Sequence, residues 1–221
     1  YMKRVPSRRV IKSHQYFDHR YRRIIYIVRD PRDVVMSYYD FSRKYRHIPD
    51  GYPIERYVSE FVTGQLRSAG WGTWKENVGS WISARHGESN FLLLRYEDLL
   101  SDTRAEIEKL AAFLGIEANE DRVQATIVNS SADRMRELEK SQADEWVSTK
   151  NKRTDIPFIR TAGSRQWRSK LSPDSVAEIE AVWGPLMAAL GYEVAGTSSE
   201  SSSVVLPGFR SLQLAPLRGQ E

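Results

Sequence analysis

Arg29 follows directly on an apolar run, Ile24-Ile25-Tyr26-Ile27-Val28, and opens the stretch Arg29-Asp30-Pro31-Arg32-Asp33. The run is rich in β-branched residues and lacks polar alternation, the pattern of a parallel strand covered on both faces. Ligands of open α/β sheets bind beyond the carboxyl ends of the strands. A guanidinium at that edge can hold a phosphate with two parallel hydrogen bonds. Ser37, one helical turn past Asp33, can aim a hydroxyl at the same anion. Pro31 suits the entry to a helix, whose first N–H groups and dipole favour negative charge. The alternative these residues leave open is an ordinary charged turn, with Arg29 paired to Asp30 or Asp33.

A second group is Lys12-Ser13-His14, at the end of a weak apolar pair, Val10-Ile11. Histidine titrates near neutrality and is the usual general base. On a strand, Lys12 and His14 would point to the same side. They could then converge on one substrate, the imidazole taking a proton and the ammonium neutralising developing charge. A bystander histidine is the alternative. A third group runs from Arg160 through Thr161, Ala162, Gly163, Ser164, Arg165 and Gln166 to Trp167 and Arg168. Its bases and small residues can wrap a phosphate, or it is a surface loop anchored by Trp167. Tyr96, Glu97 and Asp98 follow another apolar run, Phe91 to Leu94, at the same sheet edge. Tyr96 can face a base or close the core. His19, His47 and His86 show no metal-ligand spacing, and no metal site is expected. No G-x-G-x-x-G, G-x-S-x-G or G-x-x-x-x-G-K-[ST] occurs. Trp71, Trp74 and Trp81, with Gly70 and Gly72, read as a packed wall or as the lining of an apolar acceptor pocket.

The elements that must position these groups alternate strand with helix. Strands are expected at Val10-Ile11, Ile24–Val28 and Phe91 to Leu94. Helical spacing follows Pro31 through Val34, Val35, Tyr38 and Tyr39, and recurs from Ile54 to Leu66 and from Ile107 to Leu114. Asp102 suits an N-cap and Gly115 a left-handed C-terminal cap. Ser172-Pro173 opens a last helix that Gly191 ends. The result is an α/β fold with a mainly parallel sheet flanked by helices. One domain is expected over residues 1–194. Residues 195–221 form a Ser-rich tail without amphipathic period.

Composition narrows the classes. The chain has 221 residues, 33 Lys+Arg against 29 Asp+Glu, a net charge of +4 and no cysteine. Disulfide scaffolds, thiolate metal sites and thiol catalysis are excluded. No apolar run approaches the roughly 20 residues of a membrane helix, and no signal-peptide pattern opens the chain. A reducing compartment and no membrane partner are the expectation. The small, dispersed positive excess argues against nucleic acid.

Taken in order, these pieces resemble the cytosolic-type sulfotransferases that use 3′-phosphoadenosine 5′-phosphosulfate. Residues 24–41, Ile24 through Arg29, Asp33 and Ser37 to Phe41, resemble that family's 3′-phosphate-binding strand, loop and helix. Lys12-Ser13-His14 stands where the family has K-T-H, whose histidine is the catalytic base. Leu94-Arg95-Tyr96-Glu97-Asp98-Leu99 matches a Y-E-D-L segment whose tyrosine approaches the adenine. Ser130 to Met135 resembles the segment lining the adenine pocket, and Phe158 through Trp167 and Arg168 the C-terminal R-K-G…W-K element. The resemblance covers about residues 8–192. It implies a P-loop-nucleotide-hydrolase-like fold lacking its first strand, loop and helix, and a cytoplasmic enzyme. It implies His14 and Lys12 as catalytic residues. For the co-substrate it implies Arg29, Ser37, Tyr96, Ser130, Met135, Arg160, Thr161 and Ala162, and no metal. The acceptor would be a small molecule or a glycan.

The sequence departs from the family pattern at several points. Thr161 and Ala162 replace the lysine and glycine after the arginine, with Gly163 one place on. Arg165 and Gln166 fall where a second glycine and an aspartate are usual. Ala132 replaces an aromatic, and Asn77 an active-site histidine of many members. The Lys- and Ser/Thr-rich loop for the 5′-phosphosulfate is not in residues 1–11, and a start at Tyr1 favours a piece of a longer enzyme. Two other classes stay open on the residues: a nucleotide kinase-like enzyme, and a non-catalytic nucleotide-binding module.

Overall fold

A computed structural model describes residues 10–66, 71–142, 144–145, 150, 152–160 and 162–195. In chain order the elements are β1 (Ile24–Val28), α1 (Pro31–Lys44), α2 (Ile54–Val62), α3 (Trp74–Arg85), β2 (Phe91–Arg95), α4 (Tyr96–Ser101), α5 (Thr103–Leu114), α6 (Glu120–Asn129), α7 (Ala132–Ser141), a 3₁₀ turn (Gln166–Ser169) and α8 (Pro173–Ala189). β1 and β2 pair in parallel, Ile24 against Phe91 through Val28 against Arg95. They are the only strands among the described residues.

Local chemistry accounts for the helix ends. Asp30 caps α1 by accepting from the Arg32 N–H at 2.9 Å, with Pro31 at the first helical position. Thr73 and Glu76 form a reciprocal capping box on α3. Asp102 accepts from Ala105 N at 3.1 Å to open α5, and Gly115 closes it at φ 68°. Ser172 opens α8, and the chain leaves its end through Gly191 at φ 78°.

The core lies between β1 and α1, α2, α3 and α8. Val28, Val35, Tyr57, Val58, Ile179, Trp183 and Met187 are essentially inaccessible there. Trp183 of α8 meets Phe61 of α2 at 5.5 Å and Trp74 of α3 at 5.7 Å between ring centroids. α5 packs against β2 on the other side.

Three sequence expectations need correction. Val10-Ile11 is not a strand: its backbone pairs with neither β1 nor β2, and Val10 is 93% exposed. Two apolar residues between Arg9 and Lys12 are too few to bury a strand face. Strand alternation therefore does not set the relation of Lys12 to His14. β1 is covered mainly on its Tyr26/Val28 face, since Ile27 remains 56% exposed. Finally, α2 stops at Val62, because Gly64 at φ 74° turns the chain out before Leu66, which still packs on the core edge. Thr161 and residues 196–221 of the expected tail lie outside the described residues.

Candidate functional site

The parallel register carries the first part of the site. Val28 lies opposite Arg95, so Arg29 and Tyr96 are each the first residue beyond the sheet. They meet there, the Arg29 guanidinium standing 4.4 Å over the Tyr96 ring. Arg29 Nη2 donates to the Gly163 carbonyl at 3.0 Å and lies 4.0 Å from Asp33 Oδ2. Its Nε is buried and has no hydrogen-bond partner among the described residues. The turn is thus not the ordinary solvated ion pair. It is a cation held on an aromatic face with donor capacity left over.

One face of α1 gathers the rest, because residues three and four apart lie one above another. Asp33, Ser37 and Asp40 form that row. Asp33, 1% exposed, accepts from the backbone N–H of Arg165 at 2.6 Å and of Trp167 at 3.1 Å. It thereby anchors the 3₁₀ turn and the loop that offers Gly163 to Arg29. Ser37 is half-buried, and its hydroxyl makes no hydrogen bond among the described residues. Asp40 ion-pairs with Arg160 Nη1. Arg32, by contrast, turns inward: it pairs with Asp30 at 2.7 Å and Glu180 at 2.6 Å and lies 3.9 Å over the Trp167 ring. It serves packing.

α7 sets the approach of Arg160. Buried Glu139 accepts from the backbone N–H of Phe158 at 2.6 Å and of Ile159 at 2.7 Å, and Arg136 donates to the Arg160 carbonyl at 2.8 Å. Ala162 takes φ 47°, the left-handed region in which a glycine is at ease. Met135 is half-buried on α7 beside Arg136. The Ser130 hydroxyl donates back to the Thr126 carbonyl at 2.7 Å, so it completes the end of α6.

His14 reaches the same region by a different route. The segment from His14 to Phe17 has no secondary structure of its own and is strapped to α3. Asn77 Nδ2 donates to the His14 carbonyl at 2.9 Å, Trp81 Nε1 to the Gln15 carbonyl at 3.0 Å, and Phe17 N to Ser80 Oγ at 3.1 Å. One turn before Asn77 on that helix, Trp74 Nε1 donates to the Arg29 carbonyl at 3.1 Å. One end of α3 therefore holds both the histidine segment and the end of β1. The His14 ring packs on Trp71 with centroids 4.8 Å apart. Desolvation of the imidazole, with the Lys12 charge second, holds its pKa below the ordinary 6.5. Neutral imidazole is a base ready to accept a proton. Gly72 is required beside it: a Cβ there would fall 1.7 Å from the Tyr16 hydroxyl, and its φ is 67°.

The structure thus brings together Arg29, Tyr96 and Gly163, and separately pairs Arg160 with Asp40, one turn from Ser37 on the same row of α1. Ser130 and Met135 sit at the α6–α7 corner, with no hydrogen bond or ring contact to Arg29 or Tyr96 among the described residues. Sequence reasoning missed Asp40, Glu139 and Tyr26 and took Asn77 only as a lost histidine. The i, i+3 spacing of Ser37 with Asp40, and of Trp74 with Asn77, was the available signal.

A family model described as the sulfotransferase domain matches residues 1–191. The 3-beta-hydroxysteroid sulfotransferase of Cavia porcellus is 31% identical over 172 residues, 77% of this chain and 57% of that protein. Sulfotransferase 2A1 of Homo sapiens is 29% identical over 176 residues, 78% of this chain and 59% of that protein. The chain thus spans well under two thirds of the length of these relatives. Among solved structures, mouse sulfotransferase SULT7A1 complexed with PAP matches with a TM-score of 0.71 at 22% identity, over 84% of this chain and 68% of that one. Retinol dehydratase in complex with androsterone and inactive cofactor PAP matches with a TM-score of 0.64 at 22% identity, over 75% and 47%. These likenesses establish the α/β fold, and together with the motifs and the matched domain they lead to one statement: this chain belongs to the sulfotransferase family.

Proposed function

We propose that the protein transfers a sulfuryl group from 3′-phosphoadenosine 5′-phosphosulfate to the hydroxyl or amine of an acceptor, with His14 as the general base. The observation that carries this reading is the construction at the sheet edge. Arg29, with a buried Nε, and Ser37, whose hydroxyl has no hydrogen bond among the described residues, lie where an extra phosphate on a ribose can be gripped. Arg160 is delivered to the same face of α1 by Asp40. The residues present fit a doubly charged anion in chemistry, since guanidinium and hydroxyl groups donate and none of the three must give up a proton.

In this reading Arg29, Ser37 and Arg160 hold the 3′-phosphate. Tyr96 sits beneath the guanidinium on the side from which an adenine would approach. Ser130, Met135, Thr161 and Ala162 border the nucleotide. His14 takes the proton from the acceptor as the new S–O bond forms and the bond to the 5′-phosphate breaks. Lys12 neutralises charge on that departing phosphate. Such a reaction asks for positioning and charge stabilisation above all. The acceptor is a small molecule rather than a glycan. Support comes from the apolar Trp71 beside His14 and from the hydroxysteroid named in a relative. The cytoplasmic setting, the 1–194 domain and the 195–221 tail belong to the same proposal.

The test is turnover and nucleotide binding in His14→Ala. Turnover should fall roughly 10²–10⁴-fold, while affinity for adenosine 3′,5′-bisphosphate stays within about twofold, because His14 touches no group that holds the nucleotide. Undiminished turnover would remove His14 from the reaction.

A further inference from the structure

We propose that Asn77 is the positioning residue of the candidate base: one side-chain amide fixes the His14 backbone and the Trp71 backbone together and refers both to β1. This rests on the assignment of His14 as the base.

Three hydrogen bonds define the arrangement. Asn77 Nδ2 donates to the His14 carbonyl at 2.9 Å and to the Trp71 carbonyl at 3.1 Å, and Asn77 Oδ1 accepts from the Tyr26 hydroxyl at 2.8 Å. Both carbonyls can only accept, so the NH₂ group must face them and the orientation of the amide follows from its partners. Tyr26 is a dependable donor, because burial pushes its phenol well above the usual range and keeps it protonated. Both amide hydrogens are committed, and the oxygen is engaged.

The two carbonyls belong to the two residues whose rings pack on each other. Fixing both backbones therefore fixes the imidazole against the indole. The demand is for a carboxamide: two donors and an acceptor on one planar group. An aspartate cannot donate. A neutral histidine offers one N–H, on a ring that cannot reach two carbonyls and still accept from Tyr26. Asn77 is therefore a group that does not act on a substrate, since its hydrogens are spent on backbone. It acts through His14. The same helix anchors Arg29 through Trp74 one turn earlier, so an error in the Asn77 contacts is an error of the base relative to the anion site.

The decisive variant is Asn77→Asp, which keeps the shape and the Tyr26 bond and removes both donated bonds. Tyr26→Phe, which removes only the tether to β1, is the second variant. The first measurement is the ring-current shift of the His14 imidazole protons by NMR. It should collapse towards the unstacked position in Asn77→Asp and move partly in Tyr26→Phe. The second is the split of kcat from the donor KM. A misplacement of a catalytic group by about 1 Å costs about 10²-fold, so kcat should fall between about tenfold and 10²-fold in Asn77→Asp with donor KM within about twofold. Unchanged His14 resonances in both variants would overturn the proposal. So would a parallel loss of kcat and adenosine 3′,5′-bisphosphate binding, which marks general damage. If His14→Ala leaves turnover undiminished, the assignment of His14 as the base fails by itself, and the NMR measurement still decides whether Asn77 holds His14.

Discussion

The anion end of the site and the histidine segment are built in opposite ways. Around Arg29 the polar groups are buried and cross-linked: Asp33 is 1% exposed, Arg32 2% and Asp30 5%, and each has partners from distant parts of the chain. The histidine segment is exposed, has no regular structure and hangs on α3 by a few side-chain bonds to backbone. The difference teaches a division of labour. A site that must hold a doubly charged group gains from rigid, desolvated donors. A proposed base that only has to take a proton can sit on a strap, provided one element fixes the strap relative to the anion site. α3 is that element, through Trp74 and Asn77.

The largest effect that would sharpen this contrast is on stability. Asp33→Ala removes the buried carboxylate that accepts from the Arg165 and Trp167 N–H groups and leaves the Arg29 cation without it, and should cost about 3–5 kcal/mol in denaturant unfolding. His14→Ala in the same experiment should stay within about 0.5 kcal/mol. Equal losses would erase the distinction between the two regions. Next is nucleotide affinity. Asp40→Ala frees Arg160 from the α1 row and should weaken adenosine 3′,5′-bisphosphate by about 1 kcal/mol in calorimetry. Unaltered affinity would mean Arg160 needs no such guide.

A smaller effect concerns pH. The pKa of His14 is lowered, so its neutral form persists as pH falls until that lowered value is passed. The acid limb of kcat should therefore have its midpoint below 6.5. Lys12→Ala should move that limb upward, because the nearby ammonium is one of the two causes of the lowering. A midpoint above the ordinary value would assign the limb to another group. Smallest is Ala162→Gly. Relief of the left-handed backbone should gain about 0.5–1 kcal/mol after the extra freedom of glycine in the unfolded chain is counted. A loss would show that the Ala162 side chain contributes packing.

Sequence reading succeeded where chemistry is local and failed where it is relational. The strand Ile24–Val28, the Asp102 and Ser172 caps, and the Gly115 and Gly191 stops are written in residue types with short-range consequences. Arg29 was legible because a strand end followed by Pro31 announces a sheet edge. Val10-Ile11 misled because two β-branched residues carry strand propensity, while a strand needs a partner that no short window reveals. Asp40, Glu139 and Asn77 are ordinary helix residues by composition. Their roles come from what the fold sets opposite them: Arg160 from 120 positions away, the N–H groups of Phe158 and Ile159, and the carbonyl of His14. Thr161 and Ala162 were placed by motif alone, and the backbone at Ala162 takes φ 47°, the left-handed region that favours glycine.

The central claim is that Arg29 reads a phosphate on the 3′ carbon of a ribose. Calorimetric titration of the unaltered protein and of Arg29→Ala, each with adenosine 3′,5′-bisphosphate and with adenosine 5′-monophosphate, tests it most directly. The account predicts that the unaltered protein prefers the bisphosphate by roughly ten- to a hundredfold, the value of one charged hydrogen-bonded contact, and that the preference largely disappears in Arg29→Ala. A preference of the same size in both proteins would contradict it.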